Sequence, residues 1–219
     1  TFAYALAHDF KQPIRQITTF TQLINEEITG GKAERVHQHL DFLNNAAKRL
    51  SKLVDVMSQY TLLNQPPELG DVDLDKVIAG IRASIAPYLA ERGGVLEWKG
   101  GSPLVRGNET LTAQVLQNLI LNGLTYNHSK KPKVQVTALD DGEHCIIQVQ
   151  DNGIGIESAY IAEIFKPLVR LHTAAEYPGS GLGLTLARKA VMAQKGSIWC
   201  ESEQGAGSTF YVRLPLAEA

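Results

Sequence analysis

Little in this chain supports a covalent or metal-built scaffold. Only two cysteines occur in 219 residues, Cys145 and Cys200. Each sits in an apolar, strand-like run and reads as a small buried hydrophobe, not as half of a disulfide. The histidines His37, His39, His128, His144 and His172 share no metal-ligand spacing and read as surface or packing residues, with a place near a bound ligand as the alternative for His172. No apolar run approaches the ~18 residues of a membrane span, and no signal-peptide pattern opens the chain. There is no basic excess: 21 Lys and Arg face 23 Asp and Glu, for a net charge of −2. That argues against nucleic acid as a main partner. Repeats and low-complexity tracts are missing too. What remains is 44% hydrophobic and 20% charged, ordinary for a globular protein and enough for one large domain or two modest ones. The start at Thr1, inside a helical pattern, reads as an excised fragment.

Residues 1–63 carry two long helical patterns. Leu6, Phe10, Pro13, Ile17, Phe20 and Ile24 recur at alternating steps of four and three, as do Val36, Leu40, Leu43, Ala47, Leu50, Val54 and Met57. That is a sustained heptad seam. Gly30-Gly31 makes a short turn between them, so an antiparallel hairpin is expected. Two helices cannot cover both apolar faces, so a second copy should complete a four-helix bundle in a homodimer. The alternative is packing against the chain's own C-terminal part.

Residues 64–72, with Pro66-Pro67, read as a linker. Residues 73–219 alternate helix and strand patterns. Asp73 to Arg92 reads as a helix closing at Gly93-Gly94, and Asn108 as the N-cap of a helix running to Tyr126. Val134 to Leu139 and Cys145 to Gln150 alternate as paired strands around Asp140-Asp141-Gly142. A helix over Leu182 to Gln194 and two last strands complete an α+β sandwich, with helices on one face of a mixed sheet.

Several short stretches carry chemistry. In Ala7-His8-Asp9-Phe10-Lys11-Gln12-Pro13 a histidine is followed at once by a carboxylate on a helix. That supplies a nucleophile and a group to orient or deprotonate it. Asp151-Asn152-Gly153-Ile154-Gly155 ends a strand. Its carboxylate can accept from an exocyclic amine such as that of adenine; the same residues also make a plain turn. Gly179-Ser180-Gly181-Leu182-Gly183 opens a helix, where backbone amides favour phosphate, but it matches neither a P-loop nor a dinucleotide fingerprint. Asn118 and Asn122 lie four apart on one helix face, suited either to Mg²⁺ or to lining a groove.

In this order and spacing, the last three motifs resemble the nucleotide-binding domain shared by sensor histidine kinases, gyrase and the large heat-shock chaperones. The heptad hairpin with His8-Asp9 then resembles the histidine kinases in particular. The run Ile164-Phe165-Lys166-Pro167-Leu168-Val169-Arg170-Leu171-His172 looks like the bacterial phytochrome-type branch. The resemblance implies an ATP-dependent kinase core that phosphorylates His8 and passes the group to an aspartate on a response-regulator receiver domain. It implies a cytoplasmic fragment with its sensor domain upstream. Asp9 would orient His8 and take its proton. Asn122 would hold Mg²⁺, and Asn118 would line the phosphate path. Tyr126 would lie beside ATP, Asp151 would read adenine, and Gly153 and Gly155 would shape that pocket. Phe165 would anchor a lid, Gly179, Gly181 and Gly183 would hold phosphates, and Thr209 would support Asp151. Gln12 would position water for a phosphatase step, or is simply a surface residue.

The pattern departs from the family at two places. Gly123 and Thr125 stand where relatives usually carry Ala and a basic residue. A missing cation weakens stabilisation of the transferring phosphoryl group; Lys130, Lys131, Lys166 or Arg170 are the candidates to replace it. Two rival readings follow: a dimeric signalling scaffold that binds nucleotide without transfer, and a conformational ATPase.

Overall fold

The computed structural model describes residues 2–30, 35–63, 65–101, 104–167, 169–172, 177 and 181–217, without the side chains of residues 2–9, 52, 55, 56, 59 and 62. Two compact units divide the chain, Thr1–Leu62 and Leu63–Ala219. Among the described residues no helix is long and apolar enough to cross a membrane.

The first unit is a pair of helices, α1 (Phe2–Thr29) and α2 (Val36–Leu62). Phe20 stacks on Phe42 at 5.0 Å, and Glu27 lies 3.2 Å from His39. Numbers rise on one helix as they fall on the other, so the pair is antiparallel. Pro13 sits inside α1 and is buried. It has no N–H for the carbonyl four residues back, so the helix carries a local weak point just after His8-Asp9. The seam differs from the one expected. Ala46 and Leu53 are buried, with Leu43 and Leu50 half-buried, whereas Leu40, Ala47, Val54 and Met57 are exposed. The heptad pattern therefore contains two stripes, because a 3.6-residue turn with this many apolar positions covers more than one face. Of the Gly30-Gly31 turn only Gly30 is described, and its N–H still reaches Glu26 O at 2.9 Å.

The second unit begins inside the expected linker. Gly70–Val72 is a strand, β1, paired antiparallel with β3 (Val105–Gly107), and Val72 is buried. Three residues are too few to show alternation, so this strand has no local signature. Helix α3 (Leu74–Arg92) is capped as its ends predict. The Asp73 side chain accepts from Lys76 N, and Gly93 stops the helix with a left-handed φ of 61°. β2 (Val95–Lys99) follows, then α4 (Glu109–Thr125), whose N-cap Asn108 accepts from Leu111 N at 3.1 Å. β4 (Lys133–Asp140), β5 (His144–Asp151), α5 (Gly183–Ala193), β6 (Ser197–Glu203) and β7 (Gly207–Pro215) complete it.

The sheet order is β2-β4-β5-β7-β6, with β2 and β4 parallel and every other pair antiparallel. Cys145, Ile147 and Val149 alternate inward on β5, as do Phe210, Val212 and Leu214 on β7. They meet Leu116, Leu119 and Ile120 of α4 and Ala187 and Val191 of α5 in one core. Each such large side chain contributes about 1.5–3 kcal/mol on full burial. Gln194, with no exposure, ties α5 to the start of α4. Its Oε1 accepts from Asn108 N (2.8 Å) and Thr112 Oγ1 (3.0 Å), and its Nε2 donates to Ala190 O (3.0 Å). This tie sets where α4 and α5 run side by side above β5, which positions the site.

Candidate functional site

β5 ends in Asp151, beside α4 and the start of β7. Its Oδ1 accepts from Gly153 N at 2.8 Å and from Ser208 N at 3.2 Å. Oδ2 has no protein donor among the described residues. Burial pushes this carboxyl up to about 6, against the pull of those two amides. A half-buried carboxylate with one oxygen held and the other free is suited to accept from a ligand amine. Thr209 pairs with Gln150 and Glu201 in the sheet, and the direct bond to Asp151 from β7 comes from the backbone amide of the neighbouring Ser208.

The loop after Asp151 is fastened on several sides. Ile154 N donates to Tyr126 O (3.0 Å), Gly205 N to Ile154 O (2.7 Å) and Ile156 N to Ser202 Oγ (2.8 Å). Gly155 has φ +68°, and a Cβ there would lie 2.0 Å from Glu203 O, so only glycine fits. Asn152 was not expected to matter. Its Oδ1 accepts from Lys133 N and from Asn127 Nδ2, both at 2.8 Å, and its Nδ2 donates to Lys131 O at 3.2 Å. Gly123 explains its own departure from the family. A Cβ there would stand 2.8 Å from Asp151 Cβ and 2.9 Å from a Val134 methyl, so α4 lies unusually close to the strand end.

On α4, Asn118 and Asn122 are half-buried. Asn118 Nδ2 is buried without a hydrogen-bond partner, and its amide lies where a Cβ on Gly183 would be, 2.5 Å from Oδ1. Gly183 is the first residue of α5, and its N-cap Leu182 makes no side-chain cap bond. An uncapped helix N-terminus beside an unbonded amide is chemistry for an anion. Gly181, with φ 69°, precedes it; Gly179 lies outside the described residues. No side-chain bond of Asn122 occurs among the described residues, so its oxygen is available to a hard cation. No group of three His, Cys, Asp or Glu that could hold a metal occurs among them either. A metal here would take most of its ligands from phosphate and water, as Mg²⁺ does.

A cavity of about 1150 Å³ opens beside this array; its walls include Arg92, Thr125, Gly153, His172 and Tyr177. Asp151 and Asn122 are not among its lining residues. Tyr126 packs against Tyr177 (4.8 Å) and His172 (6.0 Å), and the Tyr177 hydroxyl bonds His128 Nε2 at 2.5 Å. His128, a surface or packing residue by sequence, and His172, which the sequence places in the lid segment near the nucleotide, both stand in the wall. Phe165 is buried against Phe210 at 6.4 Å, and its carbonyl accepts from Thr185 Oγ1 at 3.2 Å, so it anchors the segment before the cavity rim to the core. Gln12 is exposed on α1. The backbones of His8 and Asp9 lie on α1, and their side chains fall outside the described residues. Both cysteines are buried, and burial raises their thiols to about 11 and about 12, so they are inert packing.

Comparison with known proteins adds to this geometry. Residues 1–66 match the model of the His Kinase A (phospho-acceptor) domain. Residues 107–218 match that of the histidine kinase-, DNA gyrase B- and HSP90-like ATPases. The chain is 32% identical over 216 residues to the phytochrome-like protein Cph1 of Synechocystis, covering 98% of the chain and 29% of the relative. Cyanobacterial phytochrome A of Nostoc is 30% identical, with 98% and 28% covered. The chain thus spans less than a third of the length of these relatives. Among solved structures, Acinetobacter baumannii histidine kinase AdeS superposes with a TM-score of 0.75 at 22% identity, covering 96% of this chain and 98% of that one. Histidine kinase ThkA, in complex with response regulator protein TrrA, gives 0.73 at 20% identity, with 98% and 61% covered. At these identities the structures speak for the fold alone.

Proposed function

The chain belongs to the sensor histidine kinase family, and from that premise we propose that it is the ATP-dependent phosphotransfer core of a two-component signalling protein. Residues 1–63 are its dimerisation and phosphotransfer hairpin, and the ATP-binding domain takes in β1, so that it runs from Gly70 to the C-terminus and the linker shortens to residues 64–69. The observation that carries the nucleotide reading is Asp151, half-buried at a strand end, with Oδ1 held by two amides and Oδ2 left for the adenine amine. Tyr126, Gly153 and Gly155 wall the base and ribose, Asn118, Gly181 and Gly183 face the phosphates, and Gly179 and Phe165 belong to the lid over them. Asn122 is the protein ligand for Mg²⁺, which supplies charge neutralisation at the phosphates when bound.

The chemistry follows from the residue types. An unperturbed imidazole titrates near ~6.5, so a neutral His8 is abundant at pH 7. One ring nitrogen forms a bond to the γ-phosphorus as the bond from that phosphorus to the bridging oxygen of ADP breaks. The proton on the other nitrogen passes to Asp9, which also fixes the ring. The phosphoryl group then moves to an aspartate of a response-regulator receiver domain, and Gln12 places water for the opposing step, hydrolysis of that aspartyl phosphate to inorganic phosphate. The exposed stripe of Leu40, Val54 and Met57 supports a homodimer, since a second hairpin would cover it. This kinase core works in the cytoplasm.

Labelled ATP tests the whole reading. Label retained on the chain through base, lost in acid and missing from His8→Gln is the expected result. Nucleotide binding with no label would make the protein a scaffold, and release of phosphate without label would make it a conformational ATPase.

A further inference from the structure

A nucleoside triphosphate brings three or more negative charges, and Thr125 offers none in return. Of the cations that the sequence suggests as substitutes, two are already engaged. Lys166 Nζ lies 2.6 and 2.7 Å from the two oxygens of Glu163, and Arg170 donates to Tyr177 O at 2.7 Å. Lys130 and Lys131 do not line the cavity. Among the described residues of its wall, the one lysine or arginine is Arg92.

Arg92 reaches that wall through a chain of contacts that begins on a different helix. It is the last residue of α3, one turn after Tyr88. Its guanidinium carbon stands 5.1 Å from the Tyr88 ring centroid, a cation–π pair at helical spacing. The Tyr88 hydroxyl in turn lies 2.9 Å from Thr125 Oγ1. Thr125 ends α4, three residues after Asn122. The junction is fixed behind them. Gly93 ends α3 in a left-handed turn, and Gly94 packs so tightly that a Cβ would sit 3.2 Å from Leu89 and 3.3 Å from Leu124. Thr125 is therefore the acceptor or donor that seats Tyr88, and Tyr88 is the platform that restrains Arg92. No carboxylate pairs with Arg92 among the described residues. A restrained guanidinium without an anion keeps its N–H donors for a ligand, and its planar fork suits phosphate.

We propose that Arg92 binds the polyphosphate of the nucleotide and supplies the cation that Thr125 lacks. The assignment rests on the nucleotide reading above. Thr125 then has a positive role: a lysine there would lose the bond that holds the platform while adding the charge the platform delivers.

Calorimetry on the full chain tests this with three ligands, a non-hydrolysable ATP analogue, ADP and adenosine. Arg92→Gln should weaken the triphosphate about five- to tenfold, since Arg92 is exposed and partly screened, and leave adenosine within about twofold. Added salt should weaken the triphosphate less in the variant than in the wild type. Arg92→Lys should recover part of the loss, and Thr125→Lys placed on Arg92→Gln should recover it by returning a cation from α4. Unchanged triphosphate affinity in Arg92→Gln would overturn the assignment. So would an equal loss for adenosine, which would make Arg92 a packing residue. A wild-type chain that binds none of the three ligands overturns the nucleotide reading and this assignment together.

Discussion

The hairpin and the sheet unit solve burial differently. In the hairpin, only Pro13, Ala46 and Leu53 are buried among the described side chains, while Ile14, Ile28, Leu40, Phe42, Val54 and Met57 stand open. In the sheet unit, α3, α4 and α5 close over one face of five strands and leave a continuous core, with a buried glutamine fully bonded inside it. The first unit leaves an apolar stripe open; the second covers its own core. Difference of burial goes with difference of task. A phospho-acceptor must be reached by a nucleotide site and by a partner, so it belongs on an exposed helix. A carboxylate tuned by burial needs a rigid, closed surrounding.

The sharpest way to separate the two units is to remove chemistry from one and read the other. His8→Gln should abolish label transfer, by several orders of magnitude, and leave the affinity for an ATP analogue unchanged in calorimetry. The next effect belongs to the hairpin surface. Val54→Glu combined with Met57→Glu should weaken dimerisation by roughly a hundredfold or more, because like charges would be buried across the interface. Light scattering would report monomers, again with ATP affinity intact. Asp151→Asn does the reverse. It should cost about ten- to a hundredfold in ATP affinity, the worth of one charged hydrogen bond of roughly 1.5–3 kcal/mol, with the dimer unchanged.

Two smaller effects sharpen the boundary and the burial. Deleting residues 63–72 from the isolated sheet unit should cost about 2–3 kcal/mol in denaturant unfolding, because β1 and the buried Val72 go with it. An isolated unit indifferent to that deletion would return these residues to the linker. The last test is of pH. Burial raises the Asp151 carboxyl to about 6 from its ordinary 3.8. The stability gained by keeping it protonated is fully present below 3.8 and is lost as pH rises through 6. At pH 7 the ionised group therefore opposes folding, and ligand-free Asp151→Asn should be more stable than wild type by about 1–2 kcal/mol. The gap should close as pH falls below 4. Since the adenine amine favours the ionised form, ATP affinity of the wild type should fall below pH 6. A flat pH profile in both measurements would mean that Asp151 is not buried as described.

Much of the fold was legible because its signals are short-range. Asn108 and Asp73 are caps, Gly93 is a stop, and β4 and β5 alternate around a tight turn; each is decided within a few residues. The candidate site was legible in kind: a carboxylate before glycines, a glycine-rich helix start and a pair of asparagines. Its details were not. The sequence singles out Thr209 near Asp151, and only the register of β7 against β5 puts the Ser208 backbone amide on that carboxylate. Gln194 gave no signal, since its partners Asn108 and Thr112 lie more than eighty residues away. Tyr88 and Arg92 are four apart on a helix and could have been read as a pair, yet nothing local says that the pair meets Thr125.

The sequence by itself determined the elements, the motifs and the apolar content of the hairpin. Periodicity, capping and turn chemistry depend on neighbours within one or two turns. Tertiary structure alone decided which apolar stripe stays open, which backbone amide of β7 meets the half-buried carboxylate, and which cation stands in the cavity wall. Those outcomes depend on how helices and strands far apart in the chain are brought into register, and a side chain's partner across such a gap is set by packing distances of a few ångströms that no local pattern records.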